Sequence, residues 1–206
     1  MKNSFKKLLI ATGNKGKFFE IEALLKTLGI EAIPSFQFDL REPEETGANF
    51  AENSLIKAKF YGEKIGIPAL ADDSGLCVCA MKDAPGIHSA RFAINENGKK
   101  DFPQAFKKIA EKIGKNRSAF FICNLSLFDP KTNFSISFEG RVGGELTFPP
   151  RGNQGFGYDP IFTKDGMDKT FGEISAVKKD QISHRAKAFK KFSKWLAKQN
   201  QVTTYH

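Results

Sequence analysis

Leu8-Leu9-Ile10-Ala11-Thr12-Gly13-Asn14-Lys15-Gly16-Lys17 decides the fold class. The apolar run at its start is too short for a helix core and suits a buried strand. It breaks at a loop with two glycines, after which Ile21, Leu24, Leu25 and Leu28 recur at helical spacing until Gly29. A buried strand, a glycine loop and an amphipathic helix open an α/β protein. Within the loop, glycines let the backbone approach an anion, and amides at the helix start favour negative charge. Lys15 and Lys17 add positive charge at the same point. The GxxxxGK[ST] spacing of a Walker A loop is absent, and an ordinary turn with solvated lysines explains this block equally well.

Outward from this stretch the same alternation continues. A strand with an irregular exit is expected over 30–40, then an acidic loop over 41–47 containing Glu42, Glu44 and Glu45. A helix is expected over 49–65, with Phe50, Ser54, Ala58, Tyr61 and Ile65 on one face. A strand over 69–71 ends in Asp72-Asp73-Ser74-Gly75, and 76–81 continues extended. Residues 84–91 read as a loop and 102–113 as a helix. The β-rich runs 118–128 and 134–142 are joined by the hairpin signal Asp129-Pro130-Lys131-Thr132-Asn133. A Gly/Pro-rich loop spans 149–160. A last amphipathic helix spans 181–199, with Ile182, Ala186, Phe189, Phe192 and Leu196 inward. No composition break suggests a linker, so residues 1–206 read as a single domain, with 199–206 expected to fray.

Composition excludes several classes. With 206 residues, 40% hydrophobic, the chain is too apolar for wholesale disorder and long enough to bury a core, much of it built from 21 Phe. Lys plus Arg at 32 against Asp plus Glu at 23 leaves +9, which points to nucleic acid, acidic membrane or phosphorylated metabolites. No run approaches the roughly 20 apolar residues of a membrane span, and the apolar run after the basic residues 1–7 is too short for a signal peptide. Cys77, Cys79 and Cys123 form no CxxC pair and no zinc spacing. Buried, reduced thiols and a cytoplasmic location are therefore expected.

Three further blocks carry chemistry. Adjacent carboxylates at Asp72-Asp73 after an apolar strand are costly without a cation, and oxygen ligands there suit Mg²⁺. The ordinary alternative is a turn with capping acids. A haloacid-dehalogenase reading is weak, because its DxDx[TV] acids are separated by an intervening residue and lie at the first strand, whereas Asp72 and Asp73 are adjacent and lie later. Gly152-Asn153-Gln154-Gly155-Phe156-Gly157-Tyr158-Asp159-Pro160 offers an aromatic to stack on a base and an acid to accept from it, or simply a packed glycine-rich hairpin. In Lys178-Lys179-Asp180-Gln181-Ile182-Ser183-His184-Arg185, an Arg near a helix start opposes the dipole and so points to an anion or a base. A solvated basic patch is the alternative.

Together these blocks resemble the non-canonical purine NTP pyrophosphatase family, also called the inosine triphosphate pyrophosphatase or XTP/dITP diphosphatase family. The resemblance rests on ATGNKGK, EETG, FAENSLIKA, ADDSGL, APGIHSARFA, GNQGFGYDPIF, TFGEIS and KKDQISHR, in order from Leu9 to Arg185. Each block is weak alone and the joint occurrence is specific. The resemblance implies an elongated α/β fold with a mixed sheet and flanking helices, two lobes around a central nucleotide cleft, and a homodimer. It implies Mg²⁺-dependent conversion of ITP, dITP or XTP to the monophosphate and pyrophosphate, with no stable nucleic-acid partner and no membrane. By matching positions, Thr12, Gly13, Asn14, Lys15, Gly16 and Lys17 lie around the triphosphate. Glu45 and Asp73 match metal ligands, and Asp73 also matches the catalytic proton acceptor. Ser74, Phe156, Gly157, Tyr158, Asp159, Lys179, His184 and Arg185 match substrate contacts.

Two positions depart from the family pattern: His88 stands where Tyr is common, and Cys79 where Asp is frequent. The second change puts metal affinity in question if that Asp supports the ligands. The rival classes are a Maf-type nucleotide pyrophosphatase and a basic nucleic-acid-binding module. His184-Arg185 and the FGYD run argue against the first, and the acids among the glycine loops argue against the second.

Overall fold

The computed structural model describes residues 5–202. Among them, β1 (Lys7–Ala11), β2 (Glu31–Pro34), β3 (Ala69–Val78), β4 (Ser118–Asp129), β5 (Phe134–Leu146) and β6 (Phe162–Lys164) form one sheet in the order β2-β1-β3-β4-β5-β6. β1 pairs in parallel with β2 and β3, and β5 pairs antiparallel with β6, so the sheet is mixed. The helices are α1 (Lys15–Lys26), α2 (Phe50–Ile65), α3 (Ser89–Phe92), α4 (Phe102–Ile113), α5 (Ala176–Ile182) and α6 (His184–Val202). This is the expected α/β class. No helix among the described residues is long and apolar enough to cross a membrane.

The chain gathers into two compact units. The first comprises residues up to Asp73, Cys123–Gly140, and those from Arg185 onward. β1 and the first half of β3 are buried on both faces, which is why β1 reads as unbroken apolar sequence. Strand alternation separates two cores. Leu8, Ile10 and Leu70 pack with Phe18, Ile21 and Leu25 of α1 and Phe189, Phe192 and Leu196 of α6. Leu9, Ala11, Ala69 and Ala71 pack with Ala58 and Tyr61 of α2. The alanines keep α2 close, and so does Gly62, where a Cβ would lie 2.8 Å from the Phe128 ring. Asn14 starts α1 by accepting from the Gly16 and Lys17 amides, and Asn49 starts α2 by accepting from the Glu52 amide.

The second unit comprises Ser74–Ile122 and Arg141–His184. Its core holds Leu76, Val78, Phe106, Ile109, Phe121, Phe162 and Phe171. Three local expectations change here. The strand expected to end at the acids runs on as β3 to Val78. Gly75 permits this: a Cβ there would lie 2.3 Å from the Gly86 carbonyl, while Ser89 Oγ accepts from the Leu76 amide. Cys79 is exposed rather than buried, because the strand has ended and Cys79–Met81 is a 3₁₀ turn. Cys77 and Cys123 are buried free thiols, and burial pushes the Cys77 thiol up to about 12. The single helix expected over 181–199 is two helices separated by Ser183, whose backbone is extended at φ −71°, ψ 167°. Serine in that conformation is a favoured residue before a helix start. Of the tail expected to fray, 199–202 continue α6 and 203–206 lie outside the described residues.

Candidate active site

In the first unit, β1 ends by delivering the Thr12–Lys17 loop. Thr12 is buried, and its amide donates to Ser35 Oγ at 3.1 Å. The Asn14 amide donates to Thr12 Oγ1 at 3.2 Å, and Asn14 Oδ1 accepts from the Gly16 and Lys17 amides. Gly13 is exposed and donates its amide to Glu42 Oε1 at 2.7 Å. Lys15 is exposed, whereas Lys17 turns inward to place Nζ 2.6 Å from Asp72 Oδ1.

Asp72 is fully buried and sits between two cations. Arg185 Nε donates to its Oδ2 at 3.1 Å, and the Cys123 thiol donates to the same oxygen at 2.9 Å. Arg185, also buried, pairs through Nη1 with Glu20 of α1. Burial alone would push the Asp72 carboxyl up. Arg185 and Lys17, aided by the Cys123 hydrogen bond, overcome this and hold it well below the usual carboxylate range. The reverse field, added to burial, pushes the Cys123 thiol well up.

Asp73 has a different environment. Its Oδ1 lies 3.6 Å from Lys57 Nζ, which donates to Glu45 Oε1 at 2.6 Å. Asp73 Oδ2 is buried with no hydrogen-bond partner. Burial raises the Asp73 carboxyl, Lys57 and Lys17 partly oppose the rise, and the Glu45 and Asp72 charges reinforce it. Burial works to lower Lys57, yet Asp73 and Glu45 hold its ammonium above the usual value. The EETG segment places Glu45 through Gly47, whose amide donates to Asn53 Oδ1 at 2.8 Å. A Cβ on Gly47 would lie 2.6 Å from Glu52 Cβ, so only glycine brings the loop this close to α2. One turn further along α2, Lys57 meets Glu45.

The donor set fits a small hard cation. Among the described residues no cluster of three or more His, Cys, Asp or Glu is present. Mg²⁺ does not need one, because it takes one or two carboxylates and completes its shell with water and phosphate oxygens. Glu45 and Asp73, which share the Lys57 ammonium, are the two carboxylates that could hold such an ion.

In the second unit, Ser74 is half-buried. Asp159 and Lys179 form a buried pair at 2.5 Å. Asp159 Oδ2 also accepts from the Phe156 amide at 2.8 Å, and the Lys179 ammonium lies 4.5 Å from the Phe156 ring centroid. Gly155 and Gly157 adopt positive φ, and a Cβ on Gly155 would lie 2.2 Å from Asp159 Oδ2. The loop thus wraps around one carboxylate. Tyr158 is a core residue, packed on Phe102 and Phe106, and its hydroxyl donates to the Ser89 carbonyl at 2.8 Å. His184 is buried and stacks on Phe121 at 4.7 Å.

The structure therefore brings together Glu45 with Asp73, Lys17 with Arg185, and Phe156 and Asp159 with Lys179. Sequence reasoning missed Lys57 and Glu20, and had Glu42 only as a member of the acidic loop. Lys57 had a signal: it lies on the same helix stripe as Ser54, Ala58 and Tyr61, where an inward lysine requires anions. Glu20, on the same helix as Lys15 and Lys17, had none.

Residues 8–195 match the model of the Ham1 family. The chain is 46% identical to a dITP/XTP pyrophosphatase of Zymomonas mobilis, over 89% of this chain and 88% of that protein. It is 47% identical to a dITP/XTP pyrophosphatase of Caulobacter vibrioides, over 90% and 95%. A solved HAM1 protein structure from Coxiella burnetii superposes with a TM-score of 0.82 at 36% identity, covering 93% of this chain and 98% of that one. With that model matched over residues 8–195 and such relatives over about nine-tenths of its length, the chain belongs to the Ham1 family.

Proposed function

We propose that this protein hydrolyses non-canonical purine nucleoside triphosphates, ITP, dITP or XTP, with water to the monophosphate and pyrophosphate, using Mg²⁺. One observation carries the reading: Glu45 and Asp73 share the Lys57 ammonium, while Asp73 Oδ2 is buried and unbonded. Lys57 restrains Oδ1, leaving Oδ2 to take the proton of the attacking water. Burial makes that oxygen more basic than an exposed carboxylate. A divalent cation bound by Glu45 and Asp73 supplies neutralisation of phosphate charge and a polarised water.

The Thr12–Lys17 loop holds the phosphates. Gly13 offers an exposed amide and Lys15 an exposed ammonium to oppose the charge that develops on the leaving pyrophosphate, while Lys17, paired with Asp72, adds its field from behind the loop. In the second unit, Phe156 supplies a stacking face, stiffened by the hydrogen bond its amide donates to Asp159 and by Lys179 against one side of its ring. Selectivity follows donor–acceptor matching. A donor at the 6-keto oxygen of hypoxanthine or xanthine is left unpaired against the amino group of adenine. Guanine is rejected at its 2-amino group. The working form is a cytoplasmic homodimer acting on the free nucleotide pool.

The test is a Mg²⁺ assay against ITP, XTP, dITP, GTP, ATP and UTP with product identification. Monophosphate plus pyrophosphate, fastest with ITP or XTP, is expected. Diphosphate plus orthophosphate, or equal rates on ATP, refutes it.

A further inference from the structure

We infer that Glu42 is an internal competitor for the phosphate seat and sets the affinity of the loop for its anionic ligand. The inference rests on the phosphate-binding reading of Thr12–Lys17 and adds a residue to it. The observation is the pattern of amide partners. The Thr12, Asn14, Gly16 and Lys17 amides each donate to an uncharged side-chain oxygen, from Ser35, Thr12 or Asn14. Gly13 differs. Its exposed amide donates at 2.7 Å to a carboxylate carried in from a separate loop, 29 residues along the chain.

An exposed glycine amide at the start of α1, near the exposed Lys15 and already holding a carboxylate oxygen, is an anion seat with an occupant. Glu42 Oε1 lies so close that a Cβ on Gly13 would be 2.7 Å from it. A phosphate oxygen arriving at this amide has to displace that carboxylate. Glu42 is exposed, so it moves out into water without losing solvation. When the seat is closed in most molecules, the apparent dissociation constant rises by the inverse of the open fraction. The returning carboxylate then helps expel the product anion and restores the resting state.

Inorganic tripolyphosphate and pyrophosphate are the probes, measured by calorimetry on the full chain without metal, alongside steady-state kinetics with ITP and Mg²⁺. Glu42→Gln keeps a neutral oxygen and removes the charge. It is expected to tighten tripolyphosphate binding and lower KM by about three- to ten-fold, with kcat unchanged or reduced by slower pyrophosphate release. Glu44→Gln, in the same loop, removes the same charge without a bond to Gly13, and is expected to give less than about a two-fold change. Equal gains in the two variants overturn the inference in favour of general electrostatics. A weaker or unchanged affinity in Glu42→Gln overturns it in favour of a scaffolding role. Wild-type protein that hydrolyses ITP yet shows no such gain in Glu42→Gln refutes the Glu42 role alone. Wild-type protein that neither binds tripolyphosphate nor hydrolyses ITP refutes the phosphate-loop reading and this inference with it.

Discussion

Asp72 and Asp73 are consecutive residues of β3, yet the alternation of the strand sends them to different partners. Asp72 meets Lys17, Arg185 and Cys123, whereas Asp73 meets Lys57. Their pKa values move in opposite directions, Asp72 down and Asp73 up. One is a buried anion held by two cations. The other is a buried carboxylate with one oxygen unbonded.

The two are therefore expected to have opposite effects on stability. The folded pKa of Asp72 is depressed, so its contribution is present above about pH 3.9 and is lost as pH falls through its lower folded value. Asp72→Asn leaves Arg185 and Lys17 without their shared anion and costs about 3–5 kcal/mol at pH 7. The folded pKa of Asp73 is raised, so stability is full below about pH 3.9 and is lost as pH rises through the folded value. Asp73→Asn is expected to raise the melting midpoint at pH 7, with the gain vanishing below about pH 4. Urea and thermal melts from pH 3 to pH 8 check both, and a lowered midpoint for Asp73→Asn at pH 7 would refute the second.

The same Asp73→Asn variant is expected to lose at least about 100-fold in kcat while remaining folded. Pyrophosphate release from ITP, measured beside circular dichroism, reports both properties. Near-normal turnover removes Asp73 from the proton-accepting role.

Lys57 opposes the rise in the Asp73 carboxyl. Lys57→Met is expected to move the Asp73 titration further to alkaline pH in metal-free protein. Carbon-detected NMR of the labelled carboxyl reads this directly, and an unchanged or more acidic titration refutes it.

Lys179→Met strands the buried Asp159 carboxylate and is expected to cost about 3–5 kcal/mol. The double variant Lys179→Met with Asp159→Leu removes both charges and is expected to recover most of that stability, with catalysis still lost. Denaturant titration of the single and double variants gives the coupling, and additive losses contradict the pairing.

Much of the fold was legible because it is written in local periodicity. The strand–loop–helix opening, the helix over Phe102–Ile113 and the hairpin between β4 and β5 follow from apolar spacing and turn residues close in sequence. The misread places also have local causes. Gly75 looked like a strand terminator and is instead a position that tolerates close approach, and Ser183 interrupts a helical stripe whose apolar spacing hides the break.

By itself the sequence determined the α/β class, the ordered motif set and the identity of the acids and bases available. Only the tertiary structure decided which charge neutralises which. Arg185 reaches Glu20 across 165 residues and Asp72 across 113, and Lys57 reaches Glu45 across 12. Such pairings depend on where helices land against a strand face. The cost of burying a charge then selects the few arrangements in which each has a partner. Lys17 and Lys179, expected from the resemblance to lie around the triphosphate and the substrate, are each paired with an internal aspartate.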